Sequence, residues 1–462
     1  FLLLLLLALL PFGSRYIFNF EELRQAEFFK ENLSISVFIF DAVFLMLLWQ
    51  WLADISEKKH FPAPLKILAA FKKNLKNIAF GGLIISLILI CLLNAPENSF
   101  TFYNTFRLLQ GIFLFLIVGK LFSKNFRFFL QASYVIFLSG VLQALIGILQ
   151  FIKQKSVGLK ILGESLLSPD ILGVAKIEIA GEKIIRAYGT FPHPNLFAAF
   201  LFFSLICGLG FFFFHSKEIP FKNRLGILPI KTNKNKLLNI HYLSGLLLIF
   251  LGILVSYSRS VWLISLIAIS IIIWKYLPRS KINYLKECLQ ISLYKKALAI
   301  LFSLGLLLAI SWLVIPRLCL ENCPQDKSFL LRQKYNEIAA EKIKSSPFFG
   351  TGIGGFVLDT KKQNDTGLQE WELQPVHNLY LMIMAEIGVA GFAILITLVF
   401  YRLKNLKPLK AKWNKTAVFV ISGFLLLGFI DHYFWTLPQG IIIFWLALAF
   451  LSAYGYNEKE SK

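Results

Sequence analysis

The chain has 462 residues, of which 57% are hydrophobic, 15% aromatic and 16% charged, and its mean hydropathy is +0.66. Soluble domains average about 45–50% apolar and about 25% charged residues. This composition therefore excludes a soluble globular enzyme, a disordered chain and a disulfide-stapled miniprotein. It predicts an all-α polytopic membrane protein.

The formal net charge is +22, from 48 Lys and Arg residues against 26 Asp and Glu residues. In a soluble protein such an excess would indicate a nucleic-acid partner. In a membrane protein, Lys and Arg accumulate in cytoplasmic loops, so the excess indicates which loops face the cytoplasm. We therefore expect no nucleic-acid partner.

Apolar runs, separated by basic or Gly/Pro-containing stretches, predict about twelve transmembrane helices. The first run is too short to cross a bilayer, which takes roughly 20 apolar residues, and we interpret it as the end of a longer span. We interpret the chain, 1–462, as a single membrane domain. The predicted spans lie near 1–12, 35–53, 77–94, 106–122, 128–152, 194–214, 241–257, 260–277, 297–315, 378–400, 416–431 and 435–454.

The loops between these spans alternate in charge. One set carries 29 basic and 6 acidic residues, whereas the other carries 19 basic and 18 acidic residues. Because the basic set marks the cytoplasmic side, we expect both termini to be cytoplasmic and the protein to lie in the cytoplasmic (inner) membrane. The two longest loops, 153–193 and 316–377, then lie on the outer face, where no nucleotide sugar or ATP is expected. The larger one lies between spans nine and ten.

Two polar stretches of the outer face precede or join predicted spans. Arg186 leads into the sixth span, which begins near Asn195, a residue type that often caps a helix. Arg259 lies in the tight turn between spans seven and eight, at the membrane margin. A charge there is costly and marks a candidate functional site, unless the side chain simply extends to water.

The long outer loop contributes two further stretches. A segment with helical periodicity carries Arg332, and a glycine-rich turn containing Gly350 and Gly352 follows it. This turn lacks the strand–turn–helix context of a dinucleotide-binding fingerprint, so it is either a plain turn or a backbone anion site. His377 ends the loop, and Glu386 lies about two and a half helical turns further into span ten.

These side chains favour one kind of chemistry. Arginines at an outer membrane margin suit a lipid-borne phosphate or diphosphate, because a guanidinium group binds it in bidentate fashion. A nearby histidine can take a proton from an acceptor hydroxyl near neutral pH. No outer loop carries an Asp-x-Asp motif or a metal-ligand spacing. We therefore expect transfer from a lipid diphosphate without a metal, with arginines stabilising the leaving group.

At these positions, over about 186–400, the sequence resembles the O-antigen ligase and O-antigen polymerase family of bacterial membrane glycosyltransferases. The stretches that carry the resemblance are Gly-Thr-Phe…Pro-Asn at 189–195, Ser-Arg-Ser at 258–260, Pro-Phe-Phe-Gly-Thr-Gly at 347–352 and His-Asn-Leu-Tyr-Leu…Glu-Ile-Gly…Gly at 377–391. The resemblance implies a fold similar to the GT-C class of glycosyltransferases. It also implies a glycan donor on undecaprenyl diphosphate, a lipid or glycan acceptor, and inverting, metal-independent transfer that needs no cofactor.

The resemblance also implies roles for individual residues. The family's essential histidine falls on His377, which we expect to activate the acceptor hydroxyl. Its outer-face arginines fall on Arg186 and Arg259, with Arg332 as a further candidate, and we expect them to bind the donor diphosphate. The residues expected to support them are Asn195, Asn378, Tyr380, Glu386, Gly350 and Gly352.

Several alternatives stay open. Ligation to a lipid, polymerisation of glycan repeats and protein O-glycosylation by an oligosaccharyltransferase all share these motifs. A polytopic transporter of lipid-linked glycans or small molecules is a separate class, but only Asp41 and Glu386 are acidic residues within spans, and no similarity between two halves is visible. Cys319 and Cys323 have a spacing that suits either a disulfide or two free thiols.

Overall fold

The computed structural model describes residues 1–18, 33–57, 66–94, 97–179, 181–214, 234–276, 327–362, 368–369, 372–403 and 414–452. Within these ranges the chain is mostly helical and has two small antiparallel sheets. The predicted span at 297–315 and the pair Cys319 and Cys323 lie outside the described residues. Both therefore stay predictions.

The described helices follow the apolar runs of the sequence. In chain order they are α1 (Leu2–Leu9), α2 (Ile39–Glu57), α3 (Lys66–Leu93), α4 (Asn98–Lys124), α5 (Phe126–Lys153), α6 (Pro194–Phe214), α7 (Lys234–Val255), α8 (Arg259–Tyr276), α9 (Lys327–Ser345), α10 (Gly355–Lys362), α11 (Leu379–Leu403), α12 (Asn414–Gly428), α13 (Tyr433–Thr436) and α14 (Pro438–Phe450). The strands pair as β1 (Arg15–Ile17) with β2 (Ser36–Phe38), and β3 (Lys176–Ile179) with β4 (Glu182–Ile185).

Four of these helices, α4, α5, α6 and α11, are long and apolar enough to cross a membrane. Shorter apolar helices of 10–17 residues accompany them in the described part of the chain. The prediction of a helical membrane protein is therefore confirmed. The count of twelve spans and the GT-C fold stay predictions.

Aromatic side chains fill the centre of the helix bundle. Phe450 of α14 lies edge-on to Phe122 and Phe203, with ring centroids 5.1 and 5.0 Å apart. Such aromatic pairs contribute about 0.5–1.5 kcal/mol each beyond the burial of their surface. Gly111 of α4 packs directly on the indole of Trp445, and a Cβ there would lie 2.2 Å from the ring. Helix α14 is thus closely packed against α4.

A buried ion pair joins α4 to α2 near the β1–β2 sheet. The Arg107 guanidinium contacts both carboxylate oxygens of Asp41, at 2.6 and 2.9 Å, and Gln110 donates to the same carboxylate at 2.8 Å. Removing one partner of such a pair leaves an uncompensated buried charge. Asp41 therefore has a structural partner within the bundle, which weakens its candidacy as a transport site.

Helix α11 is interrupted at Gly388, whose φ of 66° and ψ of −179° are not helical. Four backbone hydrogen bonds join the break to the glycine-rich turn: Thr351 N–H to Ala385 O, Gly352 N–H to Glu386 O, Val389 N–H to Pro347 O, and Ala390 N–H to Phe348 O. Non-helical backbone within a spanning helix is tolerated only where protein groups satisfy it. The break thereby fixes the turn after α9, and with it α9 itself, against α11.

Candidate functional site

Two buried glutamines of α5 hold the backbone just after Arg186. Gln150 Oε1 accepts a hydrogen bond from Gly189 N–H at 2.9 Å, and Gln143 Oε1 accepts one from Thr190 N–H at 2.9 Å. The two glutamines are seven residues apart, so they lie on one face of the helix. They hold the segment between Arg186 and α6 against α5.

Arg186 is oriented by two hydrogen bonds. Its Nε donates to Ser256 O at 2.7 Å, and its Nη2 donates to Asn195 Oδ1 at 2.5 Å. Asn195 Nδ2 in turn donates to Asp431 Oδ2 at 2.7 Å. Asn195 thus connects the predicted donor-binding arginine to a carboxylate in the turn after α12. The Nη1 of Arg186 has no protein partner among the described residues.

His377 lies beside the same carboxylate. Its Nδ1 is 3.5 Å from Asp431 Oδ1, and its ring packs edge-on to that of His432, with centroids 5.0 Å apart. His432 Nε2 lies 3.8 Å from Asp431 Oδ1, and its Nδ1 is hydrogen-bonded to Thr436 Oγ1 at 2.7 Å. Asp431 is therefore the central group of a cluster whose members come from α6, the segment just before α11 and the α12–α13 turn.

Two of the predicted supporting residues hold the start of α11, where His377 lies. Asn378 Oδ1 accepts hydrogen bonds from Tyr380 N–H and Leu381 N–H at 3.0 and 3.1 Å, as a helix cap does. Tyr380 donates its hydroxyl to Leu425 O of α12 at 2.7 Å. These contacts fix His377 relative to the turn that carries Asp431.

The three predicted arginines act on one another electrostatically. Burial, together with the positive charges of Arg259 and Arg332, lowers the pKa of Arg186 to about 10, although Tyr188 and Asp431 act in the opposite direction. Arg186 is therefore charged at neutral pH. The positive charges of Arg259 and Arg332 act against the charge of Arg186, and a bound anion would relieve this repulsion.

The turn that carries Arg259 is held in an unusual conformation. Tyr257 adopts a φ of 51°, which is uncommon for a residue other than glycine. Ser258 N–H donates to Ser256 Oγ at 3.2 Å, and Ala187 N–H donates to Val255 O at 3.0 Å. The turn between α7 and α8 is thereby joined to the segment that carries Arg186.

Two further histidines at the site are neutral. Burial lowers the pKa of His193 to about 4 and that of His432 to about 3, although the negative charge of Asp431 acts against this. His193 Nδ1 also accepts a hydrogen bond from Asn195 N–H at 3.2 Å, which only an unprotonated ring nitrogen can do. Neither ring therefore adds a positive charge near Asp431 at neutral pH.

Asp431 remains ionised even though it is only 6% exposed. Burial would raise the pKa of its carboxyl group, but contact with His377 and interaction with His432 and His193 hold that pKa well below the usual range. The side-chain Nδ2 of Asn195 and the backbone N–H of His432 also donate to its two oxygens, at 2.7 and 2.9 Å. The cluster therefore contains one fixed negative charge beside three positive ones.

The glycine-rich turn and Glu386 make structural contacts. Gly350 has a φ of 67°, and a Cβ there would lie 2.4 Å from the backbone of Glu386. The Gly352 N–H donates to Glu386 O, and the Glu386 carboxylate accepts from Phe356 N–H at 3.2 Å and from Trp435 Nε1–H at 2.7 Å. These N–H groups are used within the protein, which favours the plain-turn interpretation over a backbone anion site.

The cluster also presents a group that could hold a metal ion. One ligand atom each from His377, Asp431 and His432 lies within 4.8 Å of the others. Two imidazoles and a carboxylate suit several divalent metals. The positive charges that act on the neighbouring Arg186 oppose a bound cation, so the prediction of metal-independent transfer stays a prediction to be tested.

The structure brings the predicted residues together and adds others that the sequence analysis missed. Arg186, Asn195 and His377 meet at one place, and Arg259 and Arg332 interact with Arg186. The missed groups are Asp431, His432 and the glutamines of α5. Asp431 was detectable as the lone charged residue of the outer segment 430–438, and the glutamines as two amides spaced by seven in an apolar helix.

A family model described as O-antigen ligase matches residues 244–396. The match covers 153 of the 462 residues, so this part of the chain is similar to the O-antigen ligase family. The resemblance expected from the sequence is therefore confirmed, and it supports a glycan-transferring membrane enzyme of the ligase type. No curated protein matches the chain.

The matched residues contain only part of the site. They include Arg259, Arg332 and His377, together with most of the broken helix α11 and the turn packed into it. Arg186 precedes the matched residues, and Asp431 follows them. The site is therefore completed by segments on both sides of the matched residues.

Proposed function

We propose that the protein transfers a glycan from undecaprenyl diphosphate to an acceptor hydroxyl at the outer face of the cytoplasmic membrane. The reaction is of the O-antigen ligase or polymerase type, inverts the anomeric centre and needs no metal. The observation that carries this proposal is the hydrogen-bonded chain from Arg186 through Asn195 to Asp431, with His377 beside that carboxylate. It supports the proposal because the proposed phosphate-binding group and the proposed proton acceptor then lie beside each other.

The charge of the cluster suits a diphosphate diester. Arg186, Arg259 and Arg332 supply three positive charges, and Asp431 removes one, which leaves two. A diphosphate esterified at both ends carries about two negative charges at neutral pH, because each phosphate keeps one acidic oxygen below pH 7. The Nη1 of Arg186, which has no described protein partner, is available to one of these oxygens.

His377 is the proposed proton acceptor. Its Nδ1 faces Asp431 at 3.5 Å, so a proton on that nitrogen is stabilised and the Nε2 lone pair is left for the acceptor hydroxyl. As the acceptor oxygen bonds to the anomeric carbon, its proton moves to Nε2, and the glycosyl–oxygen bond to the diphosphate breaks. The diphosphate leaves with its added negative charge near the arginines, which stabilise it electrostatically.

The test is an assay with purified, reconstituted protein and an undecaprenyl-diphosphate glycan. Candidate acceptors are a glycolipid, a second copy of the lipid-linked glycan, and a hydroxyl-bearing protein. Attachment of one glycan to a lipid would identify a ligase, and lengthened glycans would identify a polymerase. Attachment to protein would identify an O-oligosaccharyltransferase.

A different outcome would contradict the proposal. If no acceptor causes release of undecaprenyl diphosphate, but the glycan lipid moves between leaflets of the vesicle, the protein is a transporter. Two matched variants separate the cases. In the proposed mechanism, His377→Gln abolishes transfer. Arg127→Gln is the control, because Arg127 is exposed on α5 away from the site, and it leaves transfer unchanged.

A further inference from the structure

The loop that follows α5, residues 154–173, exposes apolar side chains to an unusual degree. Ile161 is 90% exposed, Leu166 is 76% exposed and Leu172 is 72% exposed. A single exposed aliphatic residue is ordinary on any protein surface. Three of them on one short loop of a membrane protein are unusual and favour contact with lipid.

The loop has a fixed structure of its own. The exposure of these side chains is therefore not the result of an unfolded loop. The buried Glu164 carboxylate accepts hydrogen bonds from Gln150 and from the N–H groups of Val157, Gly158 and Leu159. Leu167 packs in a small separate core with Ile185 and Tyr188. Ser14 also donates its hydroxyl to Ile161 O at 2.6 Å.

The exposed side chains continue an apolar stripe on α5. The stripe has a helical spacing of four and three residues and consists of Leu138, Leu142, Leu145, Leu149 and Ile152, each at least 39% exposed. On a helix long and apolar enough to cross a membrane, such a stripe is the face toward lipid. It reaches the outer end of α5, where the loop begins.

Lysines accompany the apolar side chains. Lys153, Lys155 and Lys160 are all exposed. Of the two acidic residues in this stretch, Glu164 is buried and bonded within the loop, and only Asp170 is exposed. Long basic side chains beside aliphatic ones are typical of segments that lie at a membrane surface with anionic lipids, with the apolar groups in the acyl region and the ammonium groups among phosphates.

We propose that the 154–173 loop lies in the outer surface of the membrane. Ile161, Leu166 and Leu172 insert among the lipid chains, while the lysines bind the phosphate groups of anionic phospholipids. The β3–β4 hairpin connects the loop to Arg186, whose backbone N–H donates to Ala175 O, just after the loop, at 3.2 Å. Membrane attachment of the loop then holds Arg186 near the membrane surface. This proposal does not depend on whether the protein transfers glycans.

The test uses a photoreactive benzophenone amino acid placed at residue 161, 166 or 172 of the full chain. Each protein is reconstituted in nanodiscs of phosphatidylcholine, with or without phosphatidylglycerol, and lipid adducts are measured by intact mass after irradiation. The matched control carries the same probe in place of Glu182, the exposed first residue of β4. We expect abundant lipid adducts at the three loop positions and almost none at 182.

A second variant tests the lysines. In Lys153→Gln/Lys155→Gln/Lys160→Gln, we expect adduct formation at residue 161 to fall several-fold in nanodiscs with phosphatidylglycerol and to change little without it. Loop positions that form no more lipid adducts than position 182 would overturn the proposal. Equal adduct formation with and without the lysines in anionic nanodiscs would overturn the assignment to anionic lipid.

Discussion

At the scale of single residues, the site depends on contacts between residues that are far apart in the sequence. Asn195 and Asp431 are 236 residues apart and are hydrogen-bonded at 2.7 Å. The sequence indicated the arginines and His377 through their position at the outer membrane margin together with the family resemblance. It showed Asp431 only as a lone charge in a short outer segment, and the pairing of that carboxylate with His377 appears only after folding.

The first prediction concerns Asp431→Asn. The amide keeps the shape of the side chain but removes the charge that holds and stabilises His377 as it takes a proton. We expect kcat for glycan transfer to fall about 10²-fold, within the range for general-base assistance, with little change in donor KM. The measurement is steady-state release of undecaprenyl diphosphate, and an unchanged kcat would contradict the role given to Asp431.

The second prediction concerns Arg186→Lys. A lysine keeps one positive charge but cannot donate at once to Ser256 O, Asn195 Oδ1 and a phosphate, as the guanidinium group can. We expect the Kd of the donor to rise about tenfold or more, since a charge-assisted bidentate contact contributes on the order of 1.5–3 kcal/mol. Equal donor affinity in Arg186→Lys and in the distant control Arg127→Lys would contradict it.

At the scale of elements, the break in α11 determines where the glycine-rich turn lies. The sequence predicted both the span and the turn, but no periodicity shows that the turn fills a gap in the helix. The cause is a backbone conformation at Gly388 that only the folded structure reveals. The break leaves two helical carbonyl groups and two N–H groups for the turn to satisfy.

The third prediction concerns Gly388→Ala. The position has a φ of 66°, and a Cβ would lie 2.2 Å from Phe348 O, so the substitution combines backbone strain with a clash against a main-chain atom. We expect the free energy of unfolding to fall by about 2–4 kcal/mol. The control is Gly82→Ala in α3, where nothing lies within 4 Å of the added methyl group.

Thermal unfolding in detergent measures both glycine variants. We expect Gly82→Ala to change stability by no more than about 1 kcal/mol, in the stabilising direction, because alanine favours the helix. If Gly388→Ala is as stable as Gly82→Ala, the turn is not fixed by the break in α11.

At the scale of the whole molecule, the composition and the charge of the loops predicted a helical membrane protein with its chemistry on one face. The family match at 244–396 agrees with this, yet the site extends beyond those residues at both ends. The polar residues of α5 and of the α12–α13 turn are visible in the sequence, but their contribution to the site could not be predicted, because it depends on which helices become neighbours.

The fourth prediction concerns stability against pH. His432 and His193 have pKa values of about 3 and about 4 in the folded protein, against roughly 6.5 in an unfolded chain. Below about pH 6.5 the unfolded chain binds protons that the folded protein does not, so stability falls as the pH drops. We expect up to about 2 kcal/mol of loss per histidine at about pH 5.

Thermal unfolding at about pH 7 and about pH 5 checks this in the wild type and in His432→Gln. The variant lacks one of the two histidines, so we expect its stability to decrease less over that interval. An equal decrease in both proteins would contradict the buried, neutral state of His432.

The most direct test of the proposed chemistry is the rate of undecaprenyl diphosphate release from a lipid-linked glycan in proteoliposomes that contain EDTA. We predict full release by the wild-type protein and none above background by His377→Gln. Activity that EDTA abolishes and a divalent metal restores would assign His377, Asp431 and His432 to a metal site instead. Undiminished release by His377→Gln would remove the histidine from the mechanism.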